Sequence, residues 1–284
     1  SIPASPSAPK RSLIVAASLP LGLLLGLLAA LTAEKLGYAA PVRVRREPRA
    51  ALMAPAKAKS APIRTLWTGP PILAQIGGAN SLRAADYVID WPDSRFSLGI
   101  NALVHQLDNR KGAATIVAVT AALPGEGKSA VAVSLARAAA RMGKKTVLVD
   151  CDPARLSSKA LGAPVKDGLY DVLRGAVPLN QTLAKDPRGG AYLLGMPRRP
   201  PNSAAMFASQ AMAKLVEVLR GGAELVILDC GPAPLAPDAG LIARHADATL
   251  LVTGQNAMQS PALAHTVRAL ESAQAAAIGM VVLS

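Results

Sequence analysis

The stretch "TAALPGEGKSAVA", Thr120 to Ala132, decides how this sequence folds. It is preceded by "ATIVAVT", Ala114 to Thr120, a continuous apolar and β-branched run of the kind found in strands buried on both faces of a parallel sheet. It is followed by "AVAVSLARAAARM", which places Val131, Leu135 and Met142 on one helical face and stops at Gly143. A strand, a glycine-bearing loop and a helix in succession predict a phosphate cradle. Gly125 and Gly127 let the backbone bend so that successive N–H groups point inward at phosphate oxygens. The helix starting near Lys128 adds its positive dipole end. Lys128 is placed to reach β- and γ-phosphates, and the Ser129 hydroxyl to ligate Mg²⁺. Pro124, Gly125, Glu126, Gly127, Lys128, Ser129 and Ala130 are therefore the nucleotide-binding candidates, with a nucleotide and Mg²⁺ as the expected ligands. Ala122 stands where such loops usually carry their first glycine.

Two further strands end on acids. "TVLVDCDPAR" closes with Asp150 and Asp152, and "AELVILDCGPAP" with Asp229. Carboxylates at the C-terminal ends of parallel strands face the crevice where such sheets bind ligands. Mg²⁺ takes oxygen ligands and keeps waters, so one carboxylate held through water is sufficient. The Ser129 hydroxyl and these three acids, Asp150, Asp152 and Asp229, are therefore the candidates around a phosphate-bound metal. Cys151 and Cys230 each follow one of these acids and read as small packing residues in a reducing compartment. His105, His245 and His265 have no metal-ligand spacing, and Tyr170 in "GLYDVL" reads as a packing residue.

The aromatic content of 3% suits an α/β core of small aliphatic side chains. The formal charge of +13 predicts attraction to an anionic partner, and its placement indicates which. Residues 12–33, "SLIVAASLPLGLLLGLLAALTA", carry no charge over 22 residues. As a helix they would span about 33 Å, enough for a hydrocarbon core of about 30 Å. Lys10 and Arg11 precede the run. From Glu34 to Arg64, eight basic residues stand against Glu34 and Glu47, a net +6. The positive-inside bias puts this side in the cytoplasm and residues 1–11 outside it. The Pro- and Ala-rich basic stretch has no helical or strand period, so residues 34–92 are expected as a juxtamembrane linker beside anionic lipid, with no nucleic acid as partner. The P-loop domain is expected over 93–284. The sequence opens on Ser and closes on the strand-like "GMVVLS", so it is expected to be part of a longer chain.

At these residues the chain resembles the bacterial tyrosine kinases of exopolysaccharide and capsule assembly (BY-kinases) and their joined Wzz-type co-polymerases. "ALPGEGKS" is similar to their Walker A motif, "VLVDCDPAR" to their additional acidic motif, and "LVILDCGPAPLAPDA" to their Walker B with the later Asp238. "DGLYDVLRG", "RRPPNSAAMFASQAMAKLVEVL" and "ADATLLVTGQNAM" resemble the connecting segments in the same order. The resemblance implies an α/β P-loop NTPase fold with a mostly parallel sheet, preceded by one transmembrane helix. It also implies a Mg·ATP site with Lys128, Asp150 and Asp152 as catalytic residues and Ser129, Asp152 and Asp229 at the metal: Asp150 activates the acceptor hydroxyl, Asp152 stands near the metal and Asp229 holds it through water. Its implied partners are further copies of the chain, the polysaccharide polymerase and export machinery, and the inner membrane. The sequence departs from that family at four places. Leu98, Asn101 and Val104 replace the family's charged Glu-x-x-Arg-x-x-Arg contacts. Arg155 beside Ala154 reduces an arginine pair, Asn202, Ser203 and Ala205 replace an Asn-Pro-x-Glu turn, and no tyrosine follows Tyr192. Two other functions compete: an ATPase switch on export without phosphotransfer, and a positioning ATPase like the Min and Par proteins. The latter carry a signature lysine where this chain has Leu123.

Overall fold

The computed structural model describes residues 69–77, 82–108, 114–152, 161, 165–233 and 238–284. The strands among them are β1 (Ile72–Ile76), β2 (Thr115–Ala121), β3 (Thr146–Cys151), β4 (Ala184–Lys185), β5 (Tyr192–Leu194), β6 (Leu225–Cys230), β7 (Ala248–Gly254) and β8 (Ile278–Leu283). They form one sheet in the order β1-β8-β7-β2-β6-β3-β5-β4. Every pairing is parallel except that of the two-residue β4 with β5. The expected mostly parallel α/β architecture is present. Helices of six residues or more among the described residues are α1 (Arg95–Leu107), α2 (Lys128–Arg141), α3 (Gln210–Gly222), α4 (Asp238–Ala243) and α5 (Pro261–Ser272).

Alternation along the buried strands assigns the helices to two faces. Val117 and Val119 of β2 share a core with Ile227 of β6, Phe96 and Leu103 of α1, and Val131 and Leu135 of α2. Ile116 and Ala118 point the other way, into a core with Val226, Leu228, Met212 and Leu215 of α3, and Ile242 of α4. Side chains two apart on a strand share a face, so a strand covered on both sides is apolar throughout. This is the physical basis of the uninterrupted run "ATIVAVT". Ser94, Ser209 and Ser260 start α1, α3 and α5 by accepting a backbone N–H from three residues downstream. Met142, expected on the apolar stripe of α2, is exposed, because the helix ends at Arg141 and Met142 already belongs to its C-terminal cap.

The linker boundary expected at residue 92 moves toward the N-terminus. Residues 72–76 are not linker but an edge strand, pairing in parallel with β8. A 3₁₀ turn at Leu82–Asp86 and a helical turn at Tyr87–Asp90 then pack on the sheet's first core, with Ala84, Ala85 and Val88 buried. The Tyr87 ring meets the Phe96 ring edge-on at 6.0 Å. Asp86 pairs with Arg137 of α2 at 2.6 Å. No helix among the described residues is long and apolar enough to cross a membrane. The apolar run 12–33 and the basic stretch to residue 64 lie outside the described residues.

This boundary is testable. A chain starting at residue 93 lacks β1, the Tyr87 ring and one carboxylate of Arg137, whereas one starting at residue 69 keeps them. Loss of the fully buried Ile76 side chain alone costs about 2–5 kcal/mol, and the Tyr87 ring and the part-exposed Asp86 partner of Arg137 are lost with it. The shorter chain should therefore unfold at a clearly lower urea midpoint. Equal midpoints would show that residues 69–92 are dispensable.

Candidate functional site

The phosphate loop joins β2 to α2 at the middle of the sheet. Gly125 and Gly127 have φ values of +87° and +82°, in the left-handed region where a side chain is strained. A Cβ at Gly125 would meet no atom within 4 Å, so the loop leaves open space there. Gly127 caps α2, and its carbonyl accepts the Val131 N–H at 3.0 Å. Leu123, Pro124 and Gly125 are exposed, while Lys128, Ser129 and Ala130 are buried in the first turn of α2. The backbone thus presents a helix N-terminus under an open glycine-rich arch, which is a receptive geometry for phosphate. The Thr120 hydroxyl donates to the Gly231 carbonyl at 2.7 Å, tying β2 to the chain leaving β6.

Parallel register brings the acids to this point. β3 pairs with β6 so that Asp150 lies opposite Asp229 and Cys151 opposite Cys230. Asp150 and Asp229 are both 0% exposed and Asp152 is 1% exposed. The Lys128 Nζ lies 2.8 Å from Asp152 Oδ2 and 3.3 Å from Asp229 Oδ1, and it donates to the Ser129 Oγ at 3.0 Å. Asp150 Oδ1 accepts the backbone N–H of Asp152 at 3.2 Å, so one acid orients the segment that carries the other. Burial alone would lower the Lys128 pKa. The Asp229 and Asp152 carboxylates outweigh it and raise the ammonium above the ordinary lysine value. A cation with a raised pKa stabilises the fold fully below the ordinary lysine range, and that contribution fades only as pH rises through the raised value. Stability near neutral pH is thus insensitive to this group's titration.

Among the described residues no three His, Cys, Asp or Glu side chains cluster as a metal cage. The oxygen ligands converging here are one hydroxyl and two carboxylates, beside the Lys128 ammonium, a set suited to a hydrated Mg²⁺ that also takes phosphate oxygens. Cys151 and Cys230 are fully buried, and burial is the leading cause that pushes both thiols well above their ordinary range. They are packing residues, in line with the sequence reading. Of the three positions where family charges are replaced, Leu98 is exposed, Asn101 half-buried and Val104 buried in the core. Asn202 caps the short helix Ser203–Phe207 by accepting the Ala205 N–H at 2.9 Å. Tyr170 is half-buried against the second core, and Arg155 lies outside the described residues.

Two features were absent from the sequence reading. Arg137 is buried on α2 and holds Asp186 through Nε at 2.7 Å and Nη2 at 3.2 Å, besides Asp86. An arginine among alanines, a full turn before the end of "SLARAAARM", was the available signal. The other is the Glu126 side chain. Its Oε2 accepts the Leu123 N–H at 2.6 Å, and its Oε1 accepts the Thr253 hydroxyl at 2.9 Å and the Gly254 N–H at 3.3 Å.

Sheet order, loop and acids together define a P-loop nucleotide-binding domain. The chain belongs to the CobQ/CobB/MinD/ParA nucleotide-binding domain family, whose pattern matches residues 117–282. Tyrosine-protein kinase CpsD of Streptococcus pneumoniae is 30% identical over 155 residues, covering 54% of this chain and 68% of that protein. The putative tyrosine-protein kinase AmsA of Erwinia amylovora is 33% identical over 138 residues, covering 48% of this chain and 19% of that protein. The chain therefore matches about two thirds of the one relative and about a fifth of the other. The kinase domain of Escherichia coli tyrosine kinase ETK shares the fold, with a TM-score of 0.70 at 23% identity over 76% of this chain and 90% of that domain.

Replacing Lys128 by Met leaves two buried carboxylates without their shared cation. Breaking a buried pair in this way costs about 3–5 kcal/mol. Denaturant unfolding of the nucleotide-free Lys128→Met variant should show a loss of that order, and an unchanged midpoint would contradict the buried pairing. In the native protein both thiols should resist iodoacetamide and react only on unfolding. Rapid native alkylation would contradict their burial.

Proposed function

We propose that this chain is the ATP-binding part of a tyrosine autokinase of exopolysaccharide or capsule assembly, transferring the γ-phosphoryl group of ATP to a protein tyrosine. The observation that carries the reading is the Lys128 ammonium held between carboxylates from two neighbouring strand ends, at the mouth of an open phosphate loop. The names borne by the relatives CpsD and AmsA supply the acceptor class. Backbone N–H groups from Gly125 to Ala130 would hold the phosphates, with Lys128 turning from Asp152 and Asp229 toward the β- and γ-phosphates. Ser129 and Asp152 would hold Mg²⁺, with Asp229 acting through water. Bound Mg²⁺ would neutralise charge on the phosphates. Asp150 would take the acceptor hydroxyl proton as the new phosphorus–oxygen bond to tyrosine forms and the bond to ADP breaks. Asp150 is fully buried and accepts the Asp152 N–H, so an acceptor hydroxyl would reach it only after a local rearrangement.

The setting we propose is the inner membrane. Residues 12–33 would span it, residues 1–11 would lie on the periplasmic side, and the basic stretch would lie against anionic lipid on the cytoplasmic side. Further copies of the chain and the polymerase and export machinery would be its partners.

The test uses the full chain, Mg·ATP and a Glu–Tyr copolymer as acceptor, read by phosphotyrosine detection. Phosphotyrosine should form with the wild type and fall by about a hundred- to a thousandfold with Lys128→Met, the scale of losing one group that stabilises charge in the transition state. ATP turnover without phosphotyrosine would overturn the kinase reading and leave a nucleotide switch.

A further inference from the structure

Glu126 presents a physical problem. It lies inside a loop shaped to attract a polyphosphate, and its negative charge opposes that ligand. Coulomb's law alone predicts that removing it would tighten nucleotide binding. Yet both of its carboxylate oxygens are engaged, and one of them reaches outside the loop. Oε2 closes the loop on itself through the Leu123 N–H at 2.6 Å. Oε1 reaches the end of β7, accepting the Thr253 hydroxyl at 2.9 Å and the Gly254 N–H at 3.3 Å. Thr253 is fully buried, so its hydroxyl needs an internal partner. Gly254 begins the 3₁₀ turn Gln255–Ala257, which leads through Ser260 into α5. Glu126 stands between Gly125 and Gly127, both in the left-handed region and both of the residue type that loses most freedom on ordering. A loop of this composition needs a tether to keep its N–H groups converged before phosphate arrives.

We infer that Glu126 is a positioning residue: its carboxylate presets the phosphate loop and ties it to the C-terminal end of β7. Its removal therefore weakens nucleotide binding despite removing a repulsive charge. Occupancy of the loop is thereby passed through Thr253 and Gly254 to the turn that starts α5. The inference rests on the nucleotide-binding reading above and extends it to a side chain that need not touch the nucleotide.

The sign of the effect separates positioning from repulsion. The dissociation constant of a fluorescent ADP with Mg²⁺ is measured on the full chain for the wild type, Glu126→Ala, Thr253→Val, the double variant and Glu126→Gln. Glu126→Ala should bind roughly tenfold more weakly, the scale of hydrogen bonds to a charged group. Thr253→Val, which leaves the charge in place, should also weaken binding. The double variant should be no weaker than Glu126→Ala alone, because both changes break the same link. Glu126→Gln keeps one oxygen acceptor and should recover part of the loss, which a general packing defect would not allow. Equal or tighter binding by Glu126→Ala, or full additivity in the double variant, overturns the inference while leaving the nucleotide site intact. Failure of the wild type itself to bind overturns both. Should Glu126→Ala not fold, hydrogen exchange at the Gly254 amide in the wild type and Glu126→Gln decides. Faster exchange in the variant supports the link, and equal rates overturn it.

Discussion

One ammonium shared by two buried carboxylates is the interaction on which the rest of this structure depends. Lys128 can stand between Asp152 and Asp229 only because parallel register brings the ends of β3 and β6 level, beside the loop that leaves β2. That register is possible because all three strands are apolar on both faces and covered by helices on both sides. Buried charges persist only when paired, so the pairing and the sheet depend on each other. Without the sheet the carboxylates would be solvated, and without the ammonium the sheet would hold two acids with no shared cation.

The same interaction explains how an energetically closed site can still receive a ligand. Lys128 and Ser129 are satisfied by protein groups, so little polar capacity is wasted. A triphosphate with a divalent cation offers the same kinds of partner, with oxygen anions for the lysine and positive charge for the acids. On the proposed reading, binding would be an exchange of charge partners rather than the burial of new unpaired charge, which would keep its desolvation penalty small. The glycines at 125 and 127 hold the arch open for that exchange, and Asp150 fixes the backbone of Asp152 beside it.

Much of this was legible in the sequence because strong local constraints leave strong patterns. A strand buried on both faces must be apolar throughout, and a loop with successive inward N–H groups must carry glycine. Acids closing two such strands have few other places to go. Elements held by long-range contacts were harder to read. The strand "ILAQI" at 72–76 has a single neighbour, β8, and is mostly half-buried, so its short run is indistinguishable from linker composition. Arg137 is a charge on a helix whose partners, Asp86 and Asp186, lie 51 and 49 residues away along the chain. The Glu126 side chain looked like part of a motif, but its bond to Thr253 spans 127 residues. Spacing along a chain carries no information about such pairs until the sheet is folded.

Mg·ATP is proposed to replace the Asp152 and Asp229 partners of Lys128 in the loop between β2 and α2. Calorimetric titration of the folded wild-type chain with ATP and with ADP, with and without Mg²⁺, tests it most directly. The account predicts saturable binding of one nucleotide per chain that is much tighter when Mg²⁺ is present. Absence of any magnesium-dependent binding of either nucleotide would contradict it.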